Sequence, residues 1–252
     1  MAQPTVARAT SAQPLTPVRP DLMPRSASSR RPGEPTPDPA SDNIIRSKVQ
    51  APVVRESTLA RGRLLGWMDT HADERVRTIA AEAGFGKTTL IADWARRVER
   101  QVRWLKLDPT DAEWSSFISY LIAAFQEGVP EFGKATQRLL AHVATLGTTV
   151  DQAMNQFLAE LGAAITEPTV LIIDDLQHIQ GNDDVRSILE RLIERAPPTL
   201  TFILSGRHRP DLRLARLTAQ GVVAGLGTDD PAVHAAGDRG PVRARVSDAA
   251  RW

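Results

Sequence analysis

Apolar positions along this chain keep to two spacings, and the switch between them recurs. Apolar-rich runs at 75–81, 102–107, 169–174, 200–205 and 222–226 predict β-strands. Thr169-Val170-Leu171-Ile172-Ile173 is unbroken, as a parallel strand buried on both faces requires. Between these runs the spacing becomes helical. Phe117, Ile118, Leu121, Ile122 and Phe125 mark one stripe; Val150, Met154, Phe157, Leu158, Leu161 and Ile165 mark a second. Val185, Ile188, Leu189, Leu192 and Ile193 mark a third, which Asp183 or Asp184 is expected to cap. Strands alternating with helices imply parallel βαβ units, and therefore an α/β fold: a three-layer α/β/α sandwich around a mostly parallel five-stranded sheet. The alternation occupies residues 43–230, without an internal repeat.

The flanks differ. Residues 1–42 hold nine of the eighteen prolines and almost no large apolar side chains, so a disordered tail is expected there. Residues 231–252 lose every period and are expected to be unstructured. Composition then excludes several classes. A net charge of +1 gives no global argument for nucleic acid or an anionic membrane. With no cysteine there is no disulfide, thiolate metal site or thiol nucleophile. No apolar stretch approaches the ~20 residues that span a bilayer, and the start lacks the apolar centre of a secretory signal. A cytoplasmic protein is expected. Trp94, Trp104, Trp114, Phe117 and Phe125 read as packing residues rather than a base-stacking platform, and His178 and His208, lacking metal-ligand company, as structural.

The chemistry concentrates in AEAGFGKTT, Ala81 to Thr89, set between the first apolar run and Leu90-Ile91-Ala92-Asp93-Trp94, which reads as a helix. A strand, a Gly-rich loop, Lys-Thr and a helix form the setting of a phosphate-binding loop. Gly84 and Gly86 let successive N–H groups converge on phosphate oxygens, and the new helix adds its positive end. Lys87 is then in reach of the β- and γ-phosphates, and the Thr88 hydroxyl of magnesium. The strict pattern wants glycine at the first position, where this chain has Ala81. A magnesium nucleotide also needs a carboxylate, and the run 169–173 ends in Asp174-Asp175, at the carboxyl edge of the sheet beside the loop. Asp174 is the expected magnesium partner and Asp175 the expected water-orienting acid.

With both motifs placed, residues 46–230 resemble the ATPase domain of the large ATP-dependent LuxR-type transcriptional regulators, the maltose-activator-like branch of the STAND signalling ATPases. The resemblance rests on Lys48-Val49-Gln50-Ala51-Pro52 with Arg61-Gly62-Arg63-Leu64-Leu65, AEAGFGKTTLIADWA, Val102 to Asp108 with Phe117 and Tyr120 to Ala124, VLIIDDLQHI, and Leu204-Ser205-Gly206-Arg207 with RPDLRLARL. It implies a P-loop NTPase fold in which ATP acts as a switch ligand: an ADP form that is closed, and an inducer- and ATP-bound form that opens, self-associates and activates transcription. It implies that Ala81, Gly84, Gly86, Lys87, Thr88 and Thr89 hold the nucleotide, that Thr88 and Asp174 serve Mg2+, that Asp175 and Lys87 act in hydrolysis, and that Arg207 senses the γ-phosphate. The family-like sequence stops near Thr228-Asp229-Asp230, short of the family's lid, helical-repeat sensor and DNA-reading helix-turn-helix. A genuine short module, a truncation and a shifted reading frame all fit that stop, and specific DNA binding is not expected of this chain. Three functions compete: a slowly hydrolysing ATP switch, a non-catalytic module that binds a full-length relative, and a small-molecule kinase. The last is disfavoured because no substrate lid or second arginine cluster is apparent.

Overall fold

The computed structural model describes residues 44–54, 62–142 and 147–227. Five strands form one sheet: β1 (Val76–Ala80), β2 (Gln101–Lys106), β3 (Thr169–Asp174), β4 (Leu200–Gly206) and β5 (Val223–Gly227). Every pairing is parallel, in the order β2-β3-β4-β1-β5. Each strand lies within a residue of its predicted limits. The tails 1–42 and 231–252, Arg61 and Thr228-Asp229-Asp230 lie outside the described residues.

Alternation along the strands sorts the core into two layers. Leu171 and Ile173, Phe202 and Leu204, Leu105 and Val76 face α3 (Trp114–Gln126), α5 (Val150–Ala164) and α6 (Asp183–Arg195). Val170 and Ile172, Ile203, Trp104, Ile79 and Leu226 face α1 (Gly62–Thr70) and α2 (Lys87–Ala95). Two further helices, α4 (Lys134–Ala141) and α7 (Ala215–Ala219), complete the described set. The three predicted stripes are α3, α5 and α6. Trp94, Trp104, Phe117 and Phe125 are buried and Trp114 packs on the core, as packing residues should.

The expected cap of α6 is corrected. Asn182, not Asp183 or Asp184, is the N-cap, its Oδ1 accepting from the Val185 N–H at 3.0 Å. The two aspartates lie inside the first turn, where they oppose the positive helix end instead. Asn182 also donates to the Ala112 carbonyl at 2.5 Å, tying α6 to the turn after β2. Asn182→Ala should therefore cost about 1–2 kcal/mol in urea denaturation, against a few tenths for Asp184→Ala.

Two cations tie together elements distant in sequence. Just before β1, Arg75 spreads its guanidinium over the C-terminal end of α6. It donates to Ile193 O at 3.0 and 2.7 Å, Ala196 O at 2.7 Å, Pro197 O at 2.8 Å and Leu200 O at 2.5 Å. Lys48, in the segment that leads into the domain, donates to Asp111 at 2.6 Å and pairs with Asp108 at 3.1 Å, above the Tyr120 ring. Burial works to lower the Lys48 pKa, but the bonds to Asp111 and Asp108 outweigh it and raise the value above the ordinary lysine one.

Candidate functional site

The carboxyl ends of β1, β3 and β4 carry the chemistry. β1 ends at Ala80, and the loop Ala81–Gly86 turns into α2, whose first residue is Lys87. Gly84 (φ 86°) and Gly86 (φ 72°) both take left-handed backbone, which an L side chain rarely adopts. Gly86 is the N-cap of α2 and its carbonyl accepts the Leu90 N–H at 3.0 Å, starting the helix. Ala81 is not among the positive-φ residues; its N–H donates to Gly206 O at 3.3 Å, pinning the start of the loop to the tip of β4. The first position thus has ordinary backbone, which is why alanine serves there in place of glycine.

Lys87 Nζ lies across the loop, donating to Ala81 O at 2.6 Å and Glu82 O at 3.1 Å. An ammonium has three N–H donors, so one remains for an anion in the loop. The Thr88 hydroxyl donates to Asp174 Oδ2 at 2.6 Å, and the other carboxylate oxygen accepts the Asp175 N–H at 3.0 Å. Asp174 is completely buried. Because its hydrogen goes to Asp174, the hydroxyl keeps its lone pairs for a cation. Hydroxyl and carboxylate oxygens suit magnesium, which takes few protein ligands and binds largely through substrate phosphates and water.

Asp175 has φ 62°, the one non-glycine residue with positive φ among those described. Left-handed backbone costs roughly 1–2 kcal/mol for a residue with a side chain, and such strain concentrates at functional positions. The bend turns the chain into a short 3-10 turn, Leu176–His178, and brings Gln177 back toward the Asp175 carboxylate. Gln177 Nε2 donates to Asp175 Oδ1 at 3.0 Å, and Gln177 Oε1 accepts the Arg207 N–H at 3.3 Å. Lys106, at the tip of β2, stands 3.8 Å from Asp175 Oδ2.

Lys87, Thr88, Asp174 and Asp175 are thus brought together at one edge, with Gly84 and Gly86 shaping the loop between them. Thr89 is exposed on the first turn of α2, and no bond joins it to the others. Arg207 follows β4 with an exposed side chain, and it is its backbone N–H, not its guanidinium, that joins the network. Sequence reasoning passed over Gln177 and Lys106. Gln177 lies inside VLIIDDLQHI, but its partner at the β4 tip is distant in sequence, so no local pattern could single it out.

This strand–loop–helix, with a buried acid at the tip of β3 one strand removed across β4, defines a P-loop nucleoside-triphosphate-binding fold. Comparison with known proteins narrows the class. Residues 53–204 match the family described as AAA ATPase domain, and the chain belongs to that family. It is also similar to the HTH-type transcriptional regulators MalT: 31% identical over 185 residues in Serratia proteamaculans and 32% over 184 in Yersinia pestis. Each match covers 73% of this chain and 20% of the relative, so the chain spans about a fifth of the curated relatives' length. Among solved structures, the Walker-type ATPase PABY2304 of Pyrococcus abyssi overlaps 63% of this chain and 48% of its own, at 16% identity and a TM-score of 0.42. No helix among the described residues is long and apolar enough to cross a membrane.

Proposed function

We propose that residues 43–230 form an ATP-binding, slowly hydrolysing switch domain of a LuxR-type transcriptional regulator acting in the cytoplasm. The observation that carries this reading is the bonded set Thr88, Asp174 and Asp175 beside Lys87, whose ammonium lies across a glycine-shaped loop. Bound magnesium would neutralise charge on the β- and γ-oxygens, held on the protein side by Thr88 and, behind it, Asp174. Lys87 gives its remaining N–H to phosphate while its other two stay on the loop carbonyls. Asp175 accepts a hydrogen bond from the attacking water. Water's oxygen bonds to the γ-phosphorus as the bond to the β,γ-bridging oxygen breaks; ADP leaves with that oxygen and both water protons end on inorganic phosphate. Alternation of ATP and ADP in this site is the switch, and self-association is its expected output.

The test is titration with a fluorescent ATP analogue in magnesium. Lys87→Ala removes a charge-assisted contact of roughly 1.5–3 kcal/mol, so affinity should fall at least about tenfold while the melting temperature holds. Unchanged affinity in the folded variant would remove the loop from the nucleotide site.

A further inference from the structure

We propose that Gln177 is a positioning residue that couples the tip of β4, where Arg207 stands, to the Asp175 carboxylate. The inference rests on the hydrolytic reading above and deepens it. Gln177 spans two strand tips with the two ends of one amide, Nε2 to Asp175 Oδ1 at 3.0 Å and Oε1 to the Arg207 N–H at 3.3 Å. Its position follows from neighbouring features. β3 and β4 are adjacent and in register up to Ile173 opposite Leu204, so their tips emerge side by side. The left-handed bend at Asp175 and the 3-10 turn after it set Gln177 across that gap.

An amide suits the place because it presents a donor and an acceptor a fixed distance apart. A glutamate would keep the acceptor and set a second carboxylate against Asp175. A lysine would keep a donor and lose the bond to Arg207. The other hold on Asp175 is looser, since Lys106 is 3.8 Å away with its side chain 54% exposed, where solvent screens the pair. Gln177 therefore fixes which way the Asp175 carboxylate points. A displacement of the β4 tip reaches that carboxylate through one planar amide. Neither amide end bonds to the loop 81–89, so the coupling bears on turnover rather than nucleotide affinity.

The experiment compares the full chain with Gln177→Ala, Gln177→Glu, Gln177→Lys and Gln177→His. Phosphate release at saturating magnesium-ATP, affinity for a fluorescent ATP analogue and thermal melting are measured on each. Alanine, glutamate and lysine should each lower kcat by about tenfold or more, with Kd within about twofold, because a misaimed reacting group costs rate rather than binding. Histidine, with a donor and an acceptor on opposite sides of its ring, should restore kcat to within about threefold. The proposal is overturned if alanine turns over like the parent, if glutamate or lysine alone suffices, if histidine does no better than alanine, or if affinity falls in step with rate. Asp175→Asn in the same series separates the levels. If the parent and Asp175→Asn hydrolyse ATP equally, or neither does, the hydrolytic reading falls and Gln177's role with it. If Asp175→Asn is inactive while Gln177→Ala is not, only the coupling falls.

Discussion

Asp175→Asn is expected to lower ATP turnover by about a hundredfold or more while leaving magnesium-ATP affinity within about twofold. The substitution is nearly isosteric, and an amide oxygen still accepts from Gln177 Nε2, so the left-handed bend keeps its support. What is lost is the negative charge that draws and orients water. Asp174→Asn should behave in the opposite sense. Its carboxylate is buried and bonded to the Thr88 hydroxyl at 2.6 Å, so neutralising it weakens the magnesium-dependent part of binding. Titrations with and without magnesium, set beside phosphate release at saturating ATP, separate the two. Equal loss of binding in both variants, with no selective loss of hydrolysis, would refute this division of labour.

Arg75→Ala should destabilise the domain by roughly 2–4 kcal/mol, or on the order of 10 °C in melting temperature for a domain of this size. The guanidinium makes five hydrogen bonds to four carbonyls, and two of these, from Ile193 and Ala196, lie at the negative end of α6. Ile193 and Leu200 are fully buried, so their carbonyls do not regain full hydration when the arginine goes. The charge itself is partly desolvated, and burial lowers the Arg75 pKa below the ordinary arginine value; that cost is met by the carbonyl fork and the Phe202 ring 5.3 Å beneath. Arg75→Lys keeps the charge and loses the planar fork, so it should recover only part of the loss. A variant with alanine at this position that melts within a degree or two of the parent would show that the fork contributes little.

The contrast between Arg75 and the strand it precedes shows what a linear reading can see. Parallel strands buried on both faces leave continuous apolar runs, so β3 and β4 were legible nearly to the residue, as were the long stripes of α3, α5 and α6. The phosphate loop and Asp174-Asp175 were legible because their chemistry is local. Short helices such as α4 and α7 were not, since one or two turns give too few positions for a period to show. The cap of α6 went to the wrong residue because Asn182, Asp183 and Asp184 are all competent caps, and only backbone geometry selects among them. Arg75 and Lys48 act on partners remote in sequence, and Gln177 joins the nearby Asp175 to the remote tip of β4; in the chain they are simply an arginine, a lysine and a glutamine.

The strand order has a consequence for synthesis. β1, which presents the phosphate loop, pairs with neither β2 nor β3 but with β4 and β5, so that Val76 meets Phe202 on one side and Val223 on the other. A nascent chain that has exposed β1, α2 and Asp174 can join β2 to β3, yet the loop strand has no partner until residues 200–227 leave the ribosome. The strand that presents the phosphate loop is therefore flanked on both sides only once β5 is made, and any product ending before β5 leaves one edge of β1 unpaired.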